Sequence, residues 1–211
     1  DFVDARSLIL TDENFGSAVV DKEESYKRIE NHFEQCEKLQ VVTGFVAGSK
    51  NGHSTTLGRG GSDYTASLLG AALRADRIEI FTDVSGVLSA DPRKVESAHP
   101  IPVLSYEEAM ELSHFGAKVI YPPTMQPAME LAIPMVVKNT FRPDDKGTLV
   151  RINQADDPIR SIKGISASDD VCLINVKGPG LVGVSGVAAR IFSALAQASI
   201  NIILITQASS E

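Results

Sequence analysis

Gly58-Arg59-Gly60-Gly61-Ser62-Asp63-Tyr64-Thr65 concentrates more chemistry than any other stretch of this chain. Glycines on both sides of an arginine let backbone amides approach a ligand with no Cβ in the way. Ser62 is a residue type suited to a helix N-cap, and the Ala- and Leu-rich run to Arg74 predicts a helix behind it. Such a helix turns its partial positive end and its unpaired N–H groups toward the glycines. Arg59 adds a planar fork matched to a carboxylate or a phosphate. The pattern reads as an anion site, with a plain glycine-rich connection as its alternative. It is not a P-loop, because no Lys-Ser/Thr pair follows the glycines at the required spacing.

Other templates are weaker. His32, His53, His99 and His114 show no metal-ligand spacing, so no metal site is expected; His53, in a glycine-containing loop, is the one of functional interest. Cys36 and Cys172 form no C-x-x-C and read as reduced thiols of a cytosolic core. No G-x-S-x-G elbow supports acyl chemistry. Gly178, Gly180 and Gly183 spell G-x-G-x-x-G between a predicted strand and helix, which keeps a nicotinamide-type dinucleotide site open. Against it, no acidic residue stands at the tip of the next strand, and Glu211 comes late.

The elements that must position these residues follow from periodicity. Residues 1–22 read as a helix end, a turn over Thr11–Gly16 and a short strand at Ala18–Val20. Tyr26, Ile29, Phe33 and Cys36 recur at helical steps, predicting an amphipathic helix over Glu23–Leu39. Gln40–Ala47 reads as one strand, Ser49–Thr56 as a loop able to cover a ligand, and Arg77–Asp83 as a strand ending in Thr82-Asp83. Ser105 opens a helix, a second follows Pro122-Pro123, and Ile133–Lys138 and Thr148–Ile152 are strands. Strand, helix and strand in succession predict an α/β unit with a parallel sheet, whose ligands lie beyond the carboxyl ends of the strands. Asp91-Pro92-Arg93 reads as a turn. Asn153–Asp157 with Pro158 reads as a linker, and Val171–Val176, Ser185–Ser199 and Asn201–Thr206 as a βαβ unit.

The totals bound the answer. The chain has 211 residues, 43% of them hydrophobic and 22% charged, ordinary globular values for one large or two small domains. A net charge of −7 argues against a nucleic-acid surface and against an anionic-membrane binder. No signal peptide and no bilayer-spanning apolar run are seen, so a cytoplasmic protein is expected. The first residue, Asp1, and the polar tail Gln207–Glu211 read as cuts through something larger.

Taken together, several stretches resemble aspartate kinases of the amino acid kinase family. They are Phe45 with Leu57–Thr65, Thr82-Asp83-Val84-Ser85-Gly86-Val87, Asp91-Pro92-Arg93 and Phe115-Gly116-Ala117-Lys118-Val119. The tail from Gly178-Pro179-Gly180 through Glu211 resembles the first half of an ACT regulatory domain, and with Ile133-Pro134 to Lys138-Asn139-Thr140 the chain is most similar to bifunctional aspartokinase–homoserine dehydrogenases. The resemblance implies an α/β fold: the C-terminal part of a three-layer αβα kinase domain over 1–152, a linker over 153–164, and a partial ferredoxin-like ACT domain over 165–211. It reassigns the glycines at 178–183 to an effector loop.

The same resemblance implies transfer of the γ-phosphoryl group of ATP to the side-chain carboxylate of L-aspartate, the first step toward threonine, lysine and methionine. Arg59 and Asp63 become catalytic; Phe45, Arg59, Ser62 and Asp63 hold aspartate; Thr82, Asp83, Arg93 and Lys118 line the ATP site. Mg²⁺ would arrive with ATP. Gln207 would contact a threonine or lysine effector, and the ACT halves would pair as a homo-oligomer. The family often has an aromatic residue where Leu88 stands, and it begins with a Lys-Phe-Gly-Gly strand and loop that this sequence lacks, so these 211 residues alone are expected to be inactive.

Overall fold

The computed structural model describes residues 1–115, 120–153, 162–169, 171–176 and 185–206. They form two units, Asp1–Ser168 and Asp169–Glu211.

In the larger unit, β1 (Phe2–Val3) leads into a 3₁₀ turn (Ala5–Ser7) and β2 (Leu10–Thr11). Where a helix end and a strand at Ala18–Val20 were expected, the structure has two short strands and a single bridge from Thr11 to Val20. Helix α1 (Lys22–Phe33) begins where the Asp21 carboxylate accepts from the Glu24 amide. It stops before Leu39 because acidic Glu34 and Glu37 oppose the negative end of a helix, and tight turns from His32 and Phe33 close it.

The apolar run after α1 is two strands, β3 (Val41–Val42) and β4 (Val46–Ser49), broken at Thr43–Phe45. Ser49–Thr56, expected as a loop, turns back into β5 (Ser54–Thr56), antiparallel to β4. Helix α2 (Gly61–Ala72) then packs between the two apolar cores of this unit. Leu68 and Ala72 belong to the cluster with Val3, Ile9 and Ile29, whereas Ala66 sits on the cluster with Ile80, Met135 and Val150.

The second core surrounds a sheet ordered β6 (Ile78–Thr82), β8 (Met135–Asn139), β9 (Thr148–Arg151), β7 (Val103–Ser105). Strands β6 and β8 are parallel, with Ile78 opposite Met135 and Thr82 opposite Asn139. Their crossover contains α3 (Tyr106–Phe115), a 3₁₀ turn (Pro122–Met125) and α4 (Gln126–Glu130). A reciprocal capping box starts α3: Ser105 Oγ accepts from the Glu108 amide at 3.1 Å, and Glu108 Oε2 accepts from the Ser105 amide at 2.8 Å. Tyr106 is fully buried and its hydroxyl donates to the Ile133 carbonyl.

In the smaller unit, α5 (Val187–Gln197) is the only element assigned among the described residues. Val171–Val176 and Asn201–Thr206 carry no strand ladder there, although both were expected as strands. Their apolar side chains are solvent-facing, with Leu173 91% and Leu204 84% exposed. A ladder needs a neighbour, and alternation in sequence cannot supply one.

Candidate active site

The break between β3 and β4 is made by Phe45, whose φ of 74° is uncommon for a bulky side chain and needs support from its surroundings. Thr65 provides that support. The Phe45 amide donates to Thr65 Oγ1 at 3.1 Å, and Thr65 Oγ1 donates to the Gly61 carbonyl at 2.9 Å. The Leu57 amide donates to the Phe45 carbonyl at 2.9 Å. Gly61 suits this close packing, since a Cβ there would lie 2.7 Å from Phe45 Cδ2 and 3.0 Å from Leu57 Cβ, so a side chain would displace the ring. A Cβ on Gly44 would stand 3.2 Å from Ser62 Oγ, so the backbone just before Phe45 lies against Ser62. Phe45 is 42% exposed.

The helix cap differs from expectation. Gly60, not Ser62, is the N-cap of α2, with a φ of 69° that favours glycine. Among the described residues no side chain caps this end; the Gly61 amide donates to the Gly58 carbonyl at 3.1 Å, and Ser62 is exposed within the first turn. Asp63, in the same turn, is half-buried, and burial pushes its carboxyl pKa up. Neither the Arg59 nor the Asp63 side chain has a hydrogen bond or ion pair among the described residues. The guanidinium of Arg59 instead lies over the Tyr121 ring, 5.2 Å from its centre. An unpaired cation and an unpaired carboxylate thus share one helix start, complementary to the two charges of an amino acid.

A five-residue connection joins α2 to β6, and a Cβ on Gly70 would fall 2.5 Å from Ile78 Cδ1. The C-terminal end of the helix therefore lies on the start of the strand, and the two run antiparallel. Twelve helical residues and five strand residues have similar lengths, about 18 and 17 Å. The start of α2 and the end of β6, Thr82-Asp83, therefore lie at the ends away from that contact, and no residue of Gly58–Thr65 lines the cleft at Asp83. Thr82 Oγ1 donates to Asp83 Oδ1 at 3.1 Å. Beyond them opens a cleft of about 840 Å³, lined in part by Asp83, Ser85, Leu88, Asn139, Asp145 and Lys146. Asn139 Nδ2 donates to Ser85 Oγ at 3.0 Å and Ser85 Oγ to Asp145 Oδ2 at 2.6 Å, a network that holds the cleft floor in place.

Arg93 is exposed, and it grips Asp91 through Nε and Nη2 at 3.0 and 2.8 Å. That fork holds the Asp91 carboxyl down at a pKa of about 2. Lys118 and Gln207 lie outside the described residues, as do Gly178, Gly180 and Gly183. Among the described residues no group of three or more His, Cys, Asp and Glu could hold a metal ion. His53 Nδ1 is 2.9 Å from Glu13 Oε1, which also accepts from Ser49 and Asn51, so this histidine belongs to a polar cluster on the β4–β5 hairpin. Sequence reasoning assigned no role to Thr65, Tyr121 or the Asn139–Ser85–Asp145 network. Thr65 stood inside the glycine motif, whereas the others meet the site only through the fold.

Comparison with known proteins supplies the family. Residues 2–139 match the amino acid kinase family and residues 174–211 the ACT domain, so the dinucleotide fingerprint at 178–183 falls within the ACT match. The bifunctional aspartokinase/homoserine dehydrogenase of Haemophilus influenzae is 44% identical over 99% of the chain, which spans 26% of that protein. Aspartokinase 1 of Bacillus subtilis is 44% identical over 77% of the chain and 41% of its own length. The fold is similar to E. coli aspartokinase III in complex with aspartate and ADP: TM-score 0.77, 33% identity, all of this chain and 47% of that one. A structure of the same enzyme with lysine and aspartate gives a TM-score of 0.77 at 32% identity, covering 99% of this chain and 47% of that one. With well over half of its length matched, the chain belongs to the amino acid kinase family.

Proposed function

We propose that the chain carries the aspartate-binding and much of the ATP-binding machinery of an aspartate kinase, followed by the start of an ACT effector module. The observation that carries this reading is the pair of unpaired opposite charges, Arg59 and Asp63, at the open N-terminus of α2. Arg59 takes a carboxylate of L-aspartate through its fork, Asp63 receives the α-ammonium, and Phe45 with Ser62 bounds the space. Thr82 and Asp83, at the tip of β6, take the nucleotide together with Arg93 and Lys118.

The reaction moves the γ-phosphoryl group from ATP to the side-chain carboxylate. A carboxylate oxygen forms the new P–O bond as the bond to the β-phosphate bridging oxygen breaks, and ADP leaves with that electron pair. The nucleophile is already an anion, so no general base is required. What remains is to align two anions and offset their repulsion, which is the work of cations and amides. Mg²⁺ carried in on the triphosphate would neutralise it there.

Hydroxylamine trapping of aspartyl phosphate in the native full-length polypeptide tests the assignment: product that needs both ATP and L-aspartate supports it, and no product overturns it. The ACT module is proposed to bind threonine or lysine, with Gln207 as a contact, and to associate as a homo-oligomer. Calorimetric titration with each amino acid separates the two effectors; heat from neither removes the sensor role.

A further inference from the structure

Arg59 poses a problem that its own motif does not solve. An arginine side chain has many rotamers, and a binding site that must first freeze one loses affinity. An internal carboxylate would fix it but would also occupy the N–H donors that a ligand needs. The structure uses a ring instead. The guanidinium carbon of Arg59 lies 5.2 Å from the centre of the Tyr121 ring, within cation–π range. A ring offers the cation its π-face and no carboxylate oxygen, so the guanidinium is held without an internal ion pair.

Tyr121 is itself held firmly. Its φ of −79° and ψ of 121° are the extended values that Pro122 imposes on the residue before it. Its carbonyl accepts from the Thr124 amide at 2.9 Å and from Thr124 Oγ1 at 2.6 Å. On the other side it abuts the glycine loop, for a Cβ on Gly60 would lie 2.9 Å from Tyr121 Cβ and 3.0 Å from Thr124 Cγ2. The 3₁₀ turn at Pro122–Met125 is thus clamped to the loop that carries Arg59.

We propose that Tyr121 is a positioning residue for Arg59: its ring holds the guanidinium in one place, ready for a substrate carboxylate. This rests on Arg59 being the carboxylate ligand. The ring's π-face carries the effect and its hydroxyl does not.

The test uses the native full-length polypeptide and compares Tyr121→Leu, Tyr121→Phe and Tyr121→Trp with Arg59→Ala, reading KM for L-aspartate, KM for ATP and kcat. Tyr121→Leu should raise KM for aspartate roughly two- to fivefold, the size of one exposed cation–π contact, with KM for ATP unchanged. Tyr121→Phe and Tyr121→Trp should stay near the wild-type value, which keeps the idea testable even if the leucine variant fails to fold. Tyr121→Leu should add nothing in an Arg59→Ala background, because the two side chains act as one unit. The proposal is overturned if the leucine variant keeps its aspartate KM, if the phenylalanine variant is as impaired as leucine, or if KM for both substrates rises together. An Arg59→Ala enzyme with unchanged aspartate KM would instead remove the reading of Arg59 itself, and Tyr121's role with it.

Discussion

Two side chains at the start of α2 carry opposite expectations. Arg59→Ala should cost about 2–5 kcal/mol of aspartate binding, a rise in KM of roughly thirtyfold or more, because a charged hydrogen bond loses its donor. Steady-state kinetics with varied aspartate checks this, and a KM within twofold of wild type contradicts it. Asp63→Asn should lose aspartate affinity yet gain stability. Burial raises the Asp63 pKa above its ordinary value of 3.8, so the folded state favours the protonated form. Well below that pH the wild type and the asparagine variant are alike. As pH rises through the carboxylate range, the wild type alone must ionise a half-buried group, and its relative stability falls. Thermal melts should show Asp63→Asn melting higher at neutral pH, with the difference vanishing in acid; the reverse trend refutes the burial argument. Arg59 was legible in sequence because glycines flank it, and Asp63 because it follows in the same motif. Tyr121 was not, because it arrives from a distant segment and no local pattern marks a ring that meets a guanidinium in space.

At the scale of elements, α3 shows how a short signal can be complete. Ser105 and Glu108 satisfy each other's amides, and Lys163 reaches Glu108 Oε2 at 2.7 Å from the far end of the larger unit. Ser105→Ala should destabilise this unit by about 1 kcal/mol, read as a lower denaturant midpoint at unchanged slope. No change would mean that packing of Tyr106 alone sets the helix start. Helix α2 and strand β6 were legible too: Ile78 and Ile80 alternate inward while Phe81 faces out, as the sequence pattern predicts. The strand break at Phe45 was hidden, because Val41, Val42, Phe45 and Val46 look like one apolar run. Only the Thr65 hydroxyl and the bare Gly61, both from the next helix, make the left-handed turn possible. The cap of α2 was misread for a related reason: Gly60 can take a positive φ at the N-cap, which displaces the better capper, Ser62, into the first turn.

At the scale of the molecule, the two units differ in what they bury. Asp1–Ser168 holds both apolar cores, whereas α5 buries none of its residues. A polypeptide ending at Ser168 should therefore unfold cooperatively by circular dichroism, and one of residues 169–211 should show no cooperative transition alone. A sharp melt for the smaller piece would contradict this. An α/β unit followed by a separate βαβ segment was read from periodicity and the polar linker, and the ACT assignment from resemblance; the absence of ladders among the described residues of the tail was not legible, since a strand's partner is not written in the strand. The position of α2 has a last consequence. Its flanks belong to separate cores and its first turn is the proposed aspartate end, so a ligand seated there would tie both cores to one helix. Seating aspartate at the tip should damp the shear between them, and hydrogen exchange should slow at the same time in β4 and in β8, strands that share no sheet.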